Sequence, residues 1–66
     1  MDKVQKFKEL YDEVFDKHGA VKRCGRQKCI ELMTIASEIK PGVEFGDMES
    51  GFMKTANLKS LRSELE

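Results

Sequence analysis

The sequence predicts a small all-α protein, in which three helices enclose one core and a long irregular connection separates the second helix from the third. Two observations lead to this fold class. Apolar residues recur at helical spacing in three separate stretches, and glycines or the single proline bound those stretches. With 66 residues, the chain is expected to form one domain that spans residues 1–66.

The first helix is predicted over about residues 2–18. Its apolar residues follow one another at steps of three, three, one, three and one, which places them on one face of an α-helix. They are Val4, Phe7, Leu10, Tyr11, Val14 and Phe15. The opposite face is charged, and Gly19 stands where a left-handed helix cap is expected. We therefore expect this helix to end near His18.

The second helix is predicted over about residues 26–39, after a glycine-bounded connection at 19–25. Its apolar residues cover much more of the helix surface than a single stripe. They are Cys29, Ile30, Leu32, Met33, Ile35, Ala36 and Ile39. Such a wide apolar arc is typical of a central helix that is packed on two sides. Pro41 ends the helix, because proline disfavours helical backbone at the residue before it and has no amide hydrogen to donate.

An irregular segment, residues 41–54, follows this helix and is called the strap below. The strap is long for a connection in so small a domain. It nevertheless contains five large apolar residues, so we expect it to pack across the helices and not to be disordered. Val43 and Phe45 are predicted to lie in a short extended piece of it.

The third helix is predicted over about residues 56–65, with three leucines as its apolar stripe and either Thr55 or Asn57 as its N-cap. Most methionines and phenylalanines of the chain are expected to fill the core between the helices. Phe52 and Met53 are the expected exceptions, because two adjacent side chains at the end of the strap cannot easily both point inward.

Composition and charge exclude several classes of protein. The chain has 12 basic and 12 acidic residues, and no apolar run approaches the roughly 20 residues that cross a membrane. The N-terminus lacks the continuous apolar stretch of a secretory signal peptide. We therefore expect a cytoplasmic protein with reduced cysteines and no membrane association.

The overall neutrality hides a basic segment and an acidic one. Residues 19–30 contain four cations and no acid, namely Lys22, Arg23, Arg26 and Lys28. The strap contains three acids before its one lysine, namely Glu44, Asp47 and Glu49. Free amides at the start of the second helix would add to the positive potential of the basic segment. Two interpretations follow: either the basic segment binds an anionic partner, or acids of the same molecule neutralise it.

No group of residues in the sequence forms a catalytic constellation. His18, Cys24 and Cys29 are the only soft metal ligands, and their spacing matches no zinc site, so we expect neither a metal nor a cofactor. Cations flank Cys24 near a helix N-terminus, which favours the thiolate and predicts a reactive thiol. His18 is the only candidate base, and nothing supplies an oxyanion site. The protein is therefore predicted not to be an enzyme.

The predicted function is that of a small interaction module with a regulatory or accessory role. It would bind a larger protein that carries an acidic patch. The predicted contact residues are Lys22, Arg23, Arg26, Lys28, Phe52 and Met53. One alternative is weak nucleic-acid binding by the same four cations, although no aromatic residue interleaves them and the net charge is zero. The other is a homodimer formed through the wide face of the second helix, which would enlarge a small core.

Overall fold

The computed structural model of the protein describes residues 2–23 and 25–66. Within these residues, three α-helices and one two-stranded antiparallel sheet follow one another. They are α1 (Lys3–Val14), α2 (Arg26–Ile39), β1 (Gly46–Asp47), β2 (Phe52–Met53) and α3 (Thr55–Glu64). The protein is mostly helical, as predicted, but the all-α prediction is wrong for the strap, part of which forms the β1–β2 hairpin. None of the described helices is both long and apolar enough to cross a lipid bilayer.

The first helix ends at Val14, four residues before the predicted end near His18. Phe15 is already extended, and it forms an antiparallel bridge with Val21. The Asp16 carboxylate accepts hydrogen bonds from the amides two and four residues further along the chain, at 2.9 and 3.0 Å. These bonds stabilise a tight turn, because a short carboxylate that binds nearby amides competes with a continued helix.

The second helix has the predicted bounds and lies at the centre of the molecule, as its wide apolar arc predicts. It packs against α1, α3 and β2. Its buried residues are Cys29, Leu32, Met33, Ile35 and Ala36. Ile30 and Ile39 are partly buried and pack against the same core. The apolar arc that would form a homodimer is therefore largely covered within one copy of the chain.

The core is one connected cluster of apolar side chains from the three helices and the strap. Its largest fully buried members are Phe7, Phe45, Leu32, Met33, Leu58 and Val14. Phe45 comes from the strap, which confirms that the strap packs across the helices. The described residues bury no polar or charged side chain, so the burial of apolar surface is the main stabilising term.

Two aromatic side chains of α1, together with Phe15 just after it, line one flank of this core. The ring centroids of Phe7 and Tyr11 are 5.9 Å apart, and those of Tyr11 and Phe15 are 4.5 Å apart. The guanidinium carbon of Arg62 in α3 lies 5.7 Å from the centroid of the Tyr11 ring. Burial raises the pKa of the Tyr11 hydroxyl, although the Arg62 charge acts in the opposite direction. The contact between Arg62 and Tyr11 joins α3 to α1.

The hairpin is the element that the sequence pattern does not reveal. Gly46 pairs with Met53, and Asp47 pairs with Phe52. The Asp47 carboxylate accepts hydrogen bonds from the Ser50 hydroxyl (3.1 Å) and from the amide two residues along, which closes the loop between the strands. The paired strands begin at Gly46, so the extended piece predicted around Val43 and Phe45 is not part of the sheet. Each strand has only two residues, too few for an alternating pattern to be recognised.

The third helix begins at Thr55, and its N-cap is Lys54, whose side chain makes no capping hydrogen bond. The prediction that Thr55 or Asn57 caps the helix is therefore wrong. The Asn57 side-chain amide instead donates to the Glu44 carbonyl oxygen at 2.7 Å, and the Lys54 amide donates to the Phe45 carbonyl oxygen at 2.8 Å. The first bond attaches α3 to the strap, and the second holds Lys54, the N-cap of α3, against Phe45.

Replacement of Gly46 by alanine is expected to destabilise the protein strongly. An added Cβ would overlap the Phe52 carbonyl oxygen and lie 2.5 Å from the Met33 sulfur. The φ angle of Gly46 is +141°, which residues with a side chain rarely adopt. We expect Gly46→Ala to lower the free energy of unfolding, measured by urea denaturation, by about 2–4 kcal/mol.

Gly42→Ala is the matched control for this experiment. Gly42 also has a positive φ angle, +93°, but a Cβ added there meets no atom within 4 Å. Its loss should be limited to the backbone strain, about 1–2 kcal/mol. Equal losses in the two variants would mean that the close approach of Gly46 to Phe52 and Met33 adds nothing to the cost of the substitution.

Candidate partner-binding site

An open groove lies between the start of α2, strand β2 and the first turn of α3. Its volume is about 730 Å³. The described residues that line it are Val21, Cys29, Gly51, Phe52, Met53, Lys54 and residues 55–57. Lys54 alone among them carries a charge, and none of them is an acid. The groove is therefore an apolar surface with cationic character.

Two apolar side chains of the groove are exposed to solvent. Phe52 is 74% exposed and Val21 is 50% exposed. Phe52 and Met53 are neighbours on a strand, so their side chains point to opposite faces. Met53 packs against the core and is partly buried, and this leaves Phe52 on the outer face. The structure thus places Phe52 at the surface as expected, whereas Met53 lies at the groove wall and contacts the core.

Arg26 connects the basic segment with the strap. Gly51 has a positive φ angle of +78°, and the stem of the Arg26 side chain lies directly on it: an added Cβ would overlap Arg26 Cγ and lie 3.1 Å from Cδ. This contact puts the first turn of α2 beside Phe52. Arg23 is exposed just before α2. Neither Arg23 nor Arg26 forms an ion pair with another described residue.

The two lysines of the basic segment are engaged by α1. Lys22 donates a hydrogen bond from Nζ to the Asp12 carbonyl oxygen at 2.8 Å. Lys28 forms an ion pair with Glu13, with 3.1 Å between Nζ and Oε1. Of the four predicted cations, the structure therefore places Arg26 against the strap and draws the lysines towards α1.

The acids of the strap do not neutralise the basic segment. No ion pair among residues 2–23 and 25–66 joins a cation at 22–28 to Glu44, Asp47 or Glu49. Glu44 instead pairs with Lys54, at 2.5 Å, and Asp47 closes the hairpin turn. Among the described residues, Glu13 of α1 compensates part of the positive charge through its ion pair with Lys28. Of the two interpretations of the basic segment, the one that leaves cations for a partner is favoured.

The structure describes one of the two cysteines on which the sequence analysis made predictions. Cys24, the predicted reactive thiol, lies outside the described residues. Cys29 is 9% exposed and lines the groove from α2. A cysteine covered to this degree behaves mainly as a small apolar side chain, which is the role expected of it in a helical core.

Sequence reasoning missed two parts of this face, Val21 and the first turn of α3. Val21 is the one large apolar residue of the connection before α2, so no periodic pattern marks it. It reaches the groove because its bridge with Phe15 fixes it beside α2. Ala56 and its neighbours at the start of α3 are small or polar, and only the packed fold shows that they form a wall.

Known proteins give no guide to this face. No protein-family model matches the chain, and no curated protein or solved structure is significantly similar to it. The function is therefore argued from the contacts described above.

Removal of the exposed ring at Phe52 should leave the fold intact. We expect Phe52→Ala to change the free energy of unfolding by no more than about 0.5 kcal/mol, because most of this ring is in water. Phe45→Ala is the comparison, since that ring is 2% exposed; its loss should be about 3–5 kcal/mol. Urea denaturation of both variants measures the difference. Similar losses would mean that Phe52 has a structural role.

The pKa of the Glu44 carboxyl is lowered, first by the hydrogen bond from Lys54 and then by the charge of that lysine. An NMR titration should therefore find it below the range of ordinary glutamates, and Lys54→Met should raise it into that range. Because the folded-state pKa is the lowered one, the stabilisation from this pair is present above the unfolded pKa. It is lost as the pH falls through the folded pKa.

Lys40→Met provides the control for this titration. Lys40 pairs with Glu64 at 2.7 Å in the same way that Lys54 pairs with Glu44. Its removal should leave the pKa of Glu44 unchanged. If Lys54→Met also leaves that pKa unchanged, the Lys54–Glu44 hydrogen bond is not formed in solution.

Proposed function

We propose that the protein is a small non-enzymatic interaction module that binds a larger protein and acts as a regulatory or accessory factor. The contact surface is called the docking face below and consists of Arg23, Arg26, Val21, Phe52 and Met53 around the groove. One observation carries the proposal: Phe52 is 74% exposed, whereas the other three phenylalanines of the chain are at most 2% exposed. The proposal includes a cytoplasmic location.

The hairpin holds Phe52 in a fixed position. The Gly51 amide donates to the Asp47 carbonyl oxygen at 2.9 Å, and the Phe52 amide donates to the Ser50 hydroxyl at 3.2 Å. The stem of Arg26 covers Gly51 from the side of α2. A ring presented by such a turn loses little conformational freedom when a partner covers it, so more of the gain from burial appears as affinity.

Charge gives the docking face a preference among partners. Arg26 contacts Gly51 at the wall of the groove, Arg23 is exposed three residues before it in the chain, and neither has an ion-pair partner among the described residues. Guanidinium groups bind carboxylates in a two-point geometry and lose less hydration than ammonium groups when covered. These properties favour a protein partner with an acidic patch next to an apolar one.

The two alternative functions have less support. Nucleic-acid binding through the basic segment would need its lysines, but Lys22 and Lys28 are bound to α1. A homodimer through the second helix would need an exposed apolar arc, but most of that arc contacts the core. A partner-binding protein is the function that uses the exposed apolar residues and the arginines together.

Affinity capture from the native cell lysate tests the proposal. The bait proteins are the wild type, Phe52→Ser, the double variant Arg23→Glu/Arg26→Glu, and the control Lys6→Glu/Lys17→Glu. The control reverses two exposed charges that lie away from the groove and form no ion pair among the described residues.

We expect one protein to be retained by the wild type and the control, and to be depleted at least about tenfold by each docking-face variant, a difference of about 1.4 kcal/mol. Circular dichroism should show equal helix content in all four baits. Retention of every partner by both docking-face variants would refute the proposed face. Loss of the bound material on nuclease treatment would instead favour nucleic-acid binding.

A further inference from the structure

We propose that the element of the partner that fills the groove is a short amphipathic α-helix with carboxylates beside its apolar stripe. This inference rests on the proposed function, because it names the kind of segment that the docking face recognises. It follows from the chemistry of the groove, from the start of α3 that lines it, and from the length of the strand that borders it.

The chemistry of the groove defines the side chains that it accepts. Its walls are formed by Val21, Phe52, Met53 and the first turn of α3, and its described lining contains no acid. An occupant must therefore bring apolar side chains to the floor. Arg26 lies on Gly51 at the wall of the groove, so a carboxylate at the edge of the occupant would meet a cation that has no ion-pair partner among the described residues.

The start of α3 acts in the same direction as Arg26. This helix begins beside the groove, and its N-cap Lys54 makes no side-chain capping bond. Its first turn contains no acidic residue, so no acid within that turn offsets the positive end of the helix. The potential over this end of the groove favours a segment with negative charge over one with positive charge.

The strand that borders the groove is too short to recognise an extended peptide. An extended peptide binds a sheet edge by adding a strand, and its affinity comes from a row of backbone hydrogen bonds. Strand β2 has only two residues, Phe52 and Met53. A helix needs no such edge, since it presents apolar side chains three and four residues apart to a groove. Two or three helical turns span about 10–16 Å, which fits a molecule 26 × 24 × 23 Å in size.

A second copy of the chain does not supply such a helix. All three helices bury their apolar faces in the core of their own copy. The large apolar residues that stay exposed in the described chain are Val21, Met48 and Phe52, and two of them belong to the groove itself. A two-fold contact through this face would also bring Arg23 and Arg26 of both copies to one interface. The charge therefore favours a different, acidic chain.

Titration of the full-length, isotope-labelled protein with designed peptides tests the inference by NMR. The probe is a helical peptide of about 18 residues with leucines three and four apart and glutamates on both sides of the stripe. A second peptide has lysines in place of the glutamates. We expect the acidic peptide to shift the amide signals of the groove and of Arg26, and to bind at least about tenfold more tightly than the basic peptide.

Three variants of the protein make the result specific. Phe52→Ser should weaken binding of the acidic peptide about tenfold, and Arg23→Glu/Arg26→Glu should abolish its advantage over the basic peptide. The control Lys6→Glu/Lys17→Glu should bind both peptides like the wild type. Equal affinity of the wild type for the two peptides would overturn the inference. So would signal changes outside the groove, or no change at roughly 1 mM acidic peptide.

Competition separates a failure of this inference from a failure of the proposed function. If the acidic peptide displaces the captured partner, the inference is supported. If the partner requires Phe52 but the peptide does not displace it, the proposed function stands and the helical occupant is wrong. If neither partner nor peptide requires Phe52, both proposals are wrong.

Discussion

Two glycines at the ends of the hairpin allow the strap to lie directly against α2, and the positions of the core and of the docking face both depend on this contact. At Gly46 the backbone approaches the Met33 sulfur, and at Gly51 it lies under the stem of Arg26. With both ends held, the hairpin keeps Phe45 inside and Phe52 outside. Slippage of the register by one residue would exchange the two faces of each strand, so these contacts also determine which aromatic ring remains in water.

The sequence predicts those parts of the fold that depend on long apolar patterns. The bounds of α2 are correct because its pattern extends over almost four turns and Pro41 ends it. The predicted end of α1 is wrong because two nearby amides donate hydrogen bonds to the Asp16 carboxylate, and these bonds form a turn in place of further helix. The hairpin is missed because the role of Gly46 depends on Met33, a residue that only the folded chain brings near.

The candidate site was predictable to the extent that it depends on local geometry. Phe52 is correctly predicted to be exposed, because adjacent residues of an extended segment cannot both face inward, whereas Met53, also expected outside the core, packs against it. The sequence could not distinguish the roles of the four cations, because a local charge count does not show which of them bind other parts of the chain. Lys22 and Lys28 bind α1 across the fold, whereas Arg26 lies on the hairpin. Exposed ion pairs are individually weak, but they determine which cations are left for another molecule.

Burial of apolar surface stabilises the fold and would also stabilise a complex with a partner. Because the core of this protein is small, the two contributions can be linked. A domain of about 60 residues buries only roughly 60% of the surface of its unfolded chain. Burial of a ring such as that of Phe52 would add about 1.5–3 kcal/mol, which the isolated fold does not gain. Under the proposed function, a partner that covers this ring would supply the missing burial and would bind only the folded chain. At a partner concentration of about 100 times Kd, mass action would then stabilise the fold by about 2.7 kcal/mol. The stability of the protein would thus depend on its partner, through the hairpin that keeps the Phe52 ring out of the core.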